Sequence, residues 1–290
     1  MLNEFIDKHR LSESFKQVAQ NWYNPLIDNI LLHHDDAKRP FCVGINGCQG
    51  SGKSTLSDYL CEKLQAEHGL NVAVLSLDDF YLSKEQRAAL AIKVHPMLST
   101  RGVPGTHSVS LIEKTLDRLS EYGTASIPRF NKANDDPFPV TQWPTMNTPV
   151  DIVLFEGWCW GVAPQTEQQL IAPVNQLEEH NDALGVWRHF VNQQLNQFYQ
   201  PLYQRMDYWL MLKSPSFDCV FNWRCEQEQK LALKMKDKGA TALMSDAQIA
   251  TFIQYYQRLT EHALATLPAR CNCVLELDAQ RNIVNAEYGD

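Results

Sequence analysis

Residues 47–54 read Gly47-Cys48-Gln49-Gly50-Ser51-Gly52-Lys53-Ser54, a complete G-x-x-x-x-G-K-[ST] spacing. Glycines so placed allow a turn whose backbone N–H groups converge on a phosphate, while Lys53 reaches the outer phosphates and the Ser54 hydroxyl can ligate Mg²⁺. Thr55 follows in the first helical turn, where unpaired N–H groups and the positive dipole end extend the cradle. An apolar run, Phe41–Ile45, precedes the loop, and Leu56, Leu60 and Leu64 recur after it at helical spacing. The expected unit is therefore strand, phosphate loop, helix.

Three further groups have the chemistry to act on a bound phosphate. Asp78 and Asp79 stand just past a strand expected over 72–77, at the strand end where open α/β sheets bind ligands, and a carboxylate there can take a proton from an attacking hydroxyl. Which of the two points inward is left open by the sequence. Glu156 closes a second apolar run, 151–155, beside the expected phosphate loop, where it can hold Mg²⁺ or its water ligands. Arg224, in Phe221-Asn222-Trp223-Arg224-Cys225-Glu226, either swings over the phosphates as a lid residue or belongs to a solvated helix face.

The elements that must position these groups alternate. Strands are expected at 41–45, 72–77, 151–155, 207–212 and 273–277, with helical patterns between them, which calls for a parallel sheet covered by helices on both faces. One helix is expected over 10–33 and another over 186–202, their apolar stripes read as packing. Ser110 with Glu113, and Ser245 with Gln248, fit capping boxes. Residues 93–107 and 128–149 are proline-rich, and both are expected to be long loops with a functional purpose, given the embedded Arg101, His107, Arg129 and Lys132.

Composition narrows the classes. The chain has 290 residues, a formal charge of −8 and 44% hydrophobic residues, enough for a substantial core. No run of Lys and Arg supplies the electrostatic footprint of a nucleic-acid binder. No apolar stretch approaches membrane-spanning length and the N-terminus lacks signal-peptide design, so a cytoplasmic protein with neither nucleic acid nor membrane as partner is expected. The eight cysteines are scattered and read as small buried hydrophobes; Cys271 and Cys273 form the one close pair. Cys48, near a helix N-terminus, is expected to carry a lowered thiol pKa.

In order along the chain, Gly47–Ser54, Leu77-Asp78-Asp79-Phe80-Tyr81, Arg101-Gly102-Val103-Pro104-Gly105-Thr106-His107, Ile127-Pro128-Arg129-Phe130-Asn131-Lys132, Leu154-Phe155-Glu156-Gly157-Trp158, Trp223-Arg224 and Met244-Ser245-Asp246 resemble the D-glycerate 3-kinase family. That family is a branch of the P-loop kinases, with phosphoribulokinase, uridine kinase and pantothenate kinase. The resemblance implies a P-loop NTPase three-layer α/β/α sandwich with a mostly parallel sheet. An N-terminal helical extension, 1–38, would pack on a kinase domain, 39–290, with acceptor loops at 93–107 and 128–149 and a lid near 216–245. It further implies ATP and Mg²⁺ as cofactors and a small-molecule acceptor, a hydroxy acid.

By the same resemblance, Asp78, Lys53 and Arg224 are catalytic, residues 47–55 bind nucleotide, and Ser54 and Glu156 hold the metal. Asp79, Tyr81, Arg101, His107, Arg129 and Lys132 face the acceptor, and the cations among them suit a carboxylate. The chain departs from the family pattern at Ser108 and Asn131, where acids are expected, which removes negative charge near the acceptor. Two other classes stay open: a nucleotide switch, faintly echoed by Asn131-Lys132-Ala133-Asn134, and a weakly active ATP-binding regulatory module.

Overall fold

The computed structural model describes residues 1–34, 40–235 and 244–289; residues 236–243 of the expected lid lie outside them. The strands in chain order are β1 (Phe41–Gly47), β2 (Val72–Ser76), β3 (Gly123–Ser126), β4 (Phe130–Asn131), β5 (Asp136–Pro137), β6 (Thr145–Thr148), β7 (Ile152–Gly157), β8 (Tyr208–Lys213), β9 (Cys273–Leu277) and β10 (Ile283–Tyr288). Six of them form the main sheet in the order β10-β9-β8-β1-β7-β2. The pairs among β2, β7, β1, β8 and β9 are parallel, and β10 returns antiparallel along β9. These parallel strands are the five apolar runs of the sequence. β10 was not expected, because as an edge strand it buries little beyond Ile283 and carries no apolar run.

Alternation along the strands assigns the two cores. Val153, Phe155 and Met211 join one apolar cluster, while Ile152, Leu154, Leu210 and Leu212 join the other, as a period of two requires of a sheet buried on both faces. Leu56, Leu60 and Leu64 of the helix Lys53–His68 cover the second face. Ile112, Leu116 and Leu119 of the helix Val109–Ser120 cover the first. The result is an α/β/α sandwich of P-loop type.

Four local expectations need correction. The helix over 10–33 is broken: Leu2–His9 ends at Arg10, whose φ is 53°, and the chain resumes as Phe15–Val18, a π turn Ala19–Tyr23 and Asn24–His34. The segment over 186–202 has the same construction, with a π turn at Leu195–Tyr199 between Val186–Gln194 and Gln200–Tyr203. A proline follows each π turn, at Pro25 and Pro201, and a residue without an N–H interrupts the α ladder there. The Ser110 capping box is absent, since the helix begins at Val109 after Ser108; that at Ser245 with Gln248 is formed. Finally, 128–149 is not structureless. β4 pairs with β5 and β6 with β3, in strands of two to four residues that hydrophobic periodicity does not reveal.

Candidate active site

β1 is central and its neighbours β7 and β8 return on opposite sides, so a crevice opens beyond the carboxyl ends of the strands. A cleft of about 580 Å³ occupies this place. Residues 49–55 line its middle, with Asp78, Tyr81, Arg101, Lys132, Trp158 and Tyr256 on its wall, and Glu156, Arg224 and Arg281 also facing it.

The phosphate loop has the geometry its glycines permit. Gly50 has φ +81°, and a Cβ there would stand 2.8 Å from Cβ of Trp223. A Cβ on Gly47 would meet Oγ of Ser51 at 2.6 Å. Ser51 Oγ is buried and has no hydrogen-bond partner among the described residues, a polar atom of the kind a phosphate oxygen satisfies. Lys53 Nζ donates to the carbonyl of Cys48 at 3.2 Å, folded over its own loop. Gly47 and Cys48 are buried and do not line the cleft. Burial pushes the Cys48 thiol up, against the lowered value expected from the helix N-terminus, because a desolvated thiolate costs more than the helix end returns.

Beside the loop, Ser54 Oγ donates to Oε1 of Glu156 at 3.1 Å, and Ser76 Oγ donates to the same oxygen at 2.8 Å. A hydroxyl and a carboxylate are hard oxygen donors of the type Mg²⁺ takes, few in number as expected where phosphates and water complete the shell. The donor set fits.

The two aspartates part company. Asp78 faces the cleft: Oδ2 accepts from Lys132 Nζ at 2.5 Å and Oδ1 from the Tyr81 hydroxyl at 2.9 Å. Burial pushes its carboxyl up, but Lys132, Tyr81 and Lys53 together outweigh this and hold it below the usual aspartate range. Asp79 is turned onto the β4 segment, where Oδ1 accepts from the Phe130 backbone at 3.0 Å and Oδ2 from Arg129 at 3.2 Å. It lies outside the cleft lining, as does Arg129.

His107 is also set back. Its Nδ1 is 2.6 Å from the Tyr199 hydroxyl, its ring stacks on Tyr81 at 4.5 Å, and burial lowers its pKa to about 3, so it is neutral. It supports the wall and does not line it. Arg101 lines the cleft and pairs with Asp135. Asn131 accepts from the backbones of Ala133 and Asn134 in a local turn, and Lys132 points to Asp78; the motif resembling a guanine reader makes a loop at the wall.

Arg224 projects from the helix Asp218–Met235, pairs with Glu228 at 2.9 Å and faces the cleft beside Phe252. Several residues of the cleft lining were not assigned to it from the sequence, among them Trp158, Tyr256 and Arg281. Trp158 donates its indole N–H to the Gly102 carbonyl at 3.0 Å, tying β7 to the loop that carries Arg101. Tyr256 reaches the cleft from the helix Asp246–Thr266, and Arg281 from the β9–β10 turn, where it pairs with Glu226. Of these three, only Trp158 had a signal, adjacency to the strand end.

No protein-family model matches the chain. An uncharacterized kinase of Schizosaccharomyces pombe, mug58, is 32% identical over 239 residues, covering 79% of this chain and 83% of that protein. The chloroplastic D-glycerate 3-kinase of Arabidopsis thaliana is 30% identical over 286 residues; the match covers 91% of this chain and 58% of that protein, so this chain spans little more than half of it. A solved D-glycerate 3-kinase from Cryptococcus neoformans superposes with a TM-score of 0.74 at 24% identity, over 94% of this chain and 99% of that one. Fold, phosphate loop and relatives together define a P-loop kinase. The chain belongs to the kinases of this class, and D-glycerate 3-kinases of two organisms are among the proteins it is similar to.

Proposed function

We propose that this kinase transfers the γ-phosphoryl group of ATP to a hydroxyl of a small acidic acceptor, D-glycerate first among them. One observation carries the reading: an ionised aspartate, Asp78, faces the same cleft as the phosphate loop and stands beside the cations Arg101 and Lys132. A hydroxyl placed against Asp78 gives up its proton there as its oxygen attacks the γ-phosphorus. Lys53, released from the Cys48 carbonyl, meets the phosphates, and Arg224 neutralises charge as it spreads over the transferring group. Mg²⁺, held through Ser54 and Glu156, supplies further neutralisation of the phosphate oxygens when bound. Arg101 and Lys132 offer the acceptor carboxylate a fork and a point charge.

Tyr81 and His107 act by holding Asp78 in place, and Asp79 with Arg129 by fixing the loop that carries Lys132. Among the described residues no helix is long and apolar enough to cross a membrane. The described cysteines are all free, which supports a reducing, cytoplasmic setting.

The test is ADP release from Mg-ATP against a panel of hydroxy acids, sugars and nucleosides. Strong stimulation by D-glycerate or a related hydroxy acid is the expected result. Stimulation by a sugar or nucleoside alone moves the acceptor to another metabolite, and one slow rate with every compound makes the chain an ATP-binding regulatory module.

A further inference from the structure

The cations at the acceptor end differ in how they are matched. Lys132 is countered by Asp78 at 2.5 Å and, behind the wall, Arg129 by Asp79 at 3.2 Å. Arg101 shares its acid. Its Nη1 donates to Oδ1 of Asp135, while Oδ2 of the same carboxylate accepts from Nη2 of Arg87 at 2.5 Å. Two guanidinium groups against one carboxylate leave this trio with a net charge of about +1.

The trio is rigid at its inner end. Arg87 is fully buried and donates to the carbonyls of Ser99, Leu82 and Asp135 at 3.2, 2.8 and 3.3 Å. Asp135 sits at φ 58°, a conformation aspartate reaches more readily than most residues. The Arg87 and Arg101 guanidinium carbons lie 5.9 and 5.7 Å from the centre of the Phe130 ring. Asp79 holds the backbone of Phe130, so the platform under both is itself anchored. At the outer end Arg101 is 30% exposed, and apart from its bond to Asp135 no hydrogen bond of its guanidinium is formed among the described residues.

We propose that Asp135 is a positioning residue of the acceptor site: shared between Arg87 and Arg101, it fixes the Arg101 fork at the cleft wall, where the trio's surplus positive charge receives the carboxylate of the acceptor. This rests on the acidic acceptor proposed above. An acid beside an anion site would ordinarily repel the ligand. Here Arg87 cancels that charge from behind, and what remains of Asp135 is geometric constraint on Arg101.

The experiment compares D-glycerate with its uncharged amide, glyceramide, as acceptors in steady-state kinetics. Asp135→Asn should raise KM for glycerate about tenfold, the loss expected for one charge-assisted contact, with KM for glyceramide and for Mg-ATP unchanged. Asp135→Glu should recover part of the preference for the acid. Should Asp135→Asn fold poorly because the buried Arg87 is left unpaired, the double variant Arg87→Gln/Asp135→Asn removes the charge of both partners and should show the same selective loss. An unchanged preference for glycerate in a folded variant, or a lower KM for it, overturns the positioning role. A wild-type enzyme that does not prefer the acid over the amide overturns the acidic acceptor together with it, a result visible before any variant is made.

Discussion

Lys132 Nζ lies 2.5 Å from Oδ2 of Asp78, joining the β4–β5 turn to the turn that follows β2. The other carboxylate oxygen accepts from Tyr81 at 2.9 Å, and Tyr81 is stacked on a neutral His107. In the free enzyme, then, both oxygens of the proposed base are engaged. An incoming hydroxyl must share one of them, and Lys132 is the more accessible partner: it is 59% exposed, whereas Tyr81 is buried.

If Asp78 takes the hydroxyl proton, Asp78→Asn should lower kcat by about 10²–10⁴-fold, the usual range for a general base. Affinity for Mg-ADP, measured by titration calorimetry, should stay close to wild type. Turnover near that of the wild type would remove Asp78 from this role.

The pH dependence has a defined sign. Asp78 must be ionised to accept a proton, and its neighbours hold its pKa below the usual range, so kcat/KM should persist as pH falls through the ordinary aspartate range and decline only below it. Lys132→Met removes the largest lowering influence and leaves burial opposed by Tyr81 and Lys53 alone. The acidic limb of the profile should then move to higher pH; a limb that stays in place would show that Lys132 does not set it.

Asp79 should separate from Asp78 in what it affects. Asp79→Ala leaves the Phe130 N–H without its acceptor and Arg129 without its carboxylate and should cost about 1–3 kcal/mol of stability, read as a lower midpoint in thermal or urea unfolding. Its kcat loss should be much smaller than that of Asp78→Asn, and an equal loss would mean that both carboxylates serve the reaction directly.

Cys48 should be slow to react. With its thiol pKa raised by burial, iodoacetamide near neutral pH should label the partly exposed Cys225 before it, as peptide mass spectrometry of the modified protein would show. Labelling of Cys48 first, suppressed by Mg-ATP, would restore the reactive thiol expected from sequence.

Gly50→Ala should damage the cradle. The new methyl would sit 2.8 Å from Cβ of Trp223 at a φ of +81°, so Trp223 must shift and the loop must bear strain. A several-fold weaker affinity for Mg-ATP, with altered tryptophan fluorescence, is expected; wild-type affinity would show that the contact yields easily.

The sheet was legible because each parallel strand is buried on both faces and so reads as an apolar run, as Ile152–Phe155 and Tyr208–Leu212 do. β10, buried at little beyond Ile283, gave no such run, and β4, β5 and the π turns before Pro25 and Pro201 are too short or too context-dependent for periodicity to find. In the site, residues 47–54 could be placed because a phosphate cradle is made by local backbone geometry and so leaves its mark in consecutive positions. Asp78 and Asp79 could not be told apart. Adjacent residues diverge in direction only when something packs against each, and here Lys132 and the Phe130 backbone, more than fifty residues away, are what separate them.

The sequence alone determined the chemistry available: a phosphate loop, acids at strand ends and cations in the loops that follow. Each of these is written in residue type and short spacing. Tertiary structure decided which groups meet. It set His107 and Arg129 behind the wall, brought Tyr256 and Arg281 to the cleft from distant segments, and gave Arg101 a carboxylate that it shares with a buried arginine. Pairing between charges depends on distances across the fold, and neither periodicity nor motif spacing carries that information.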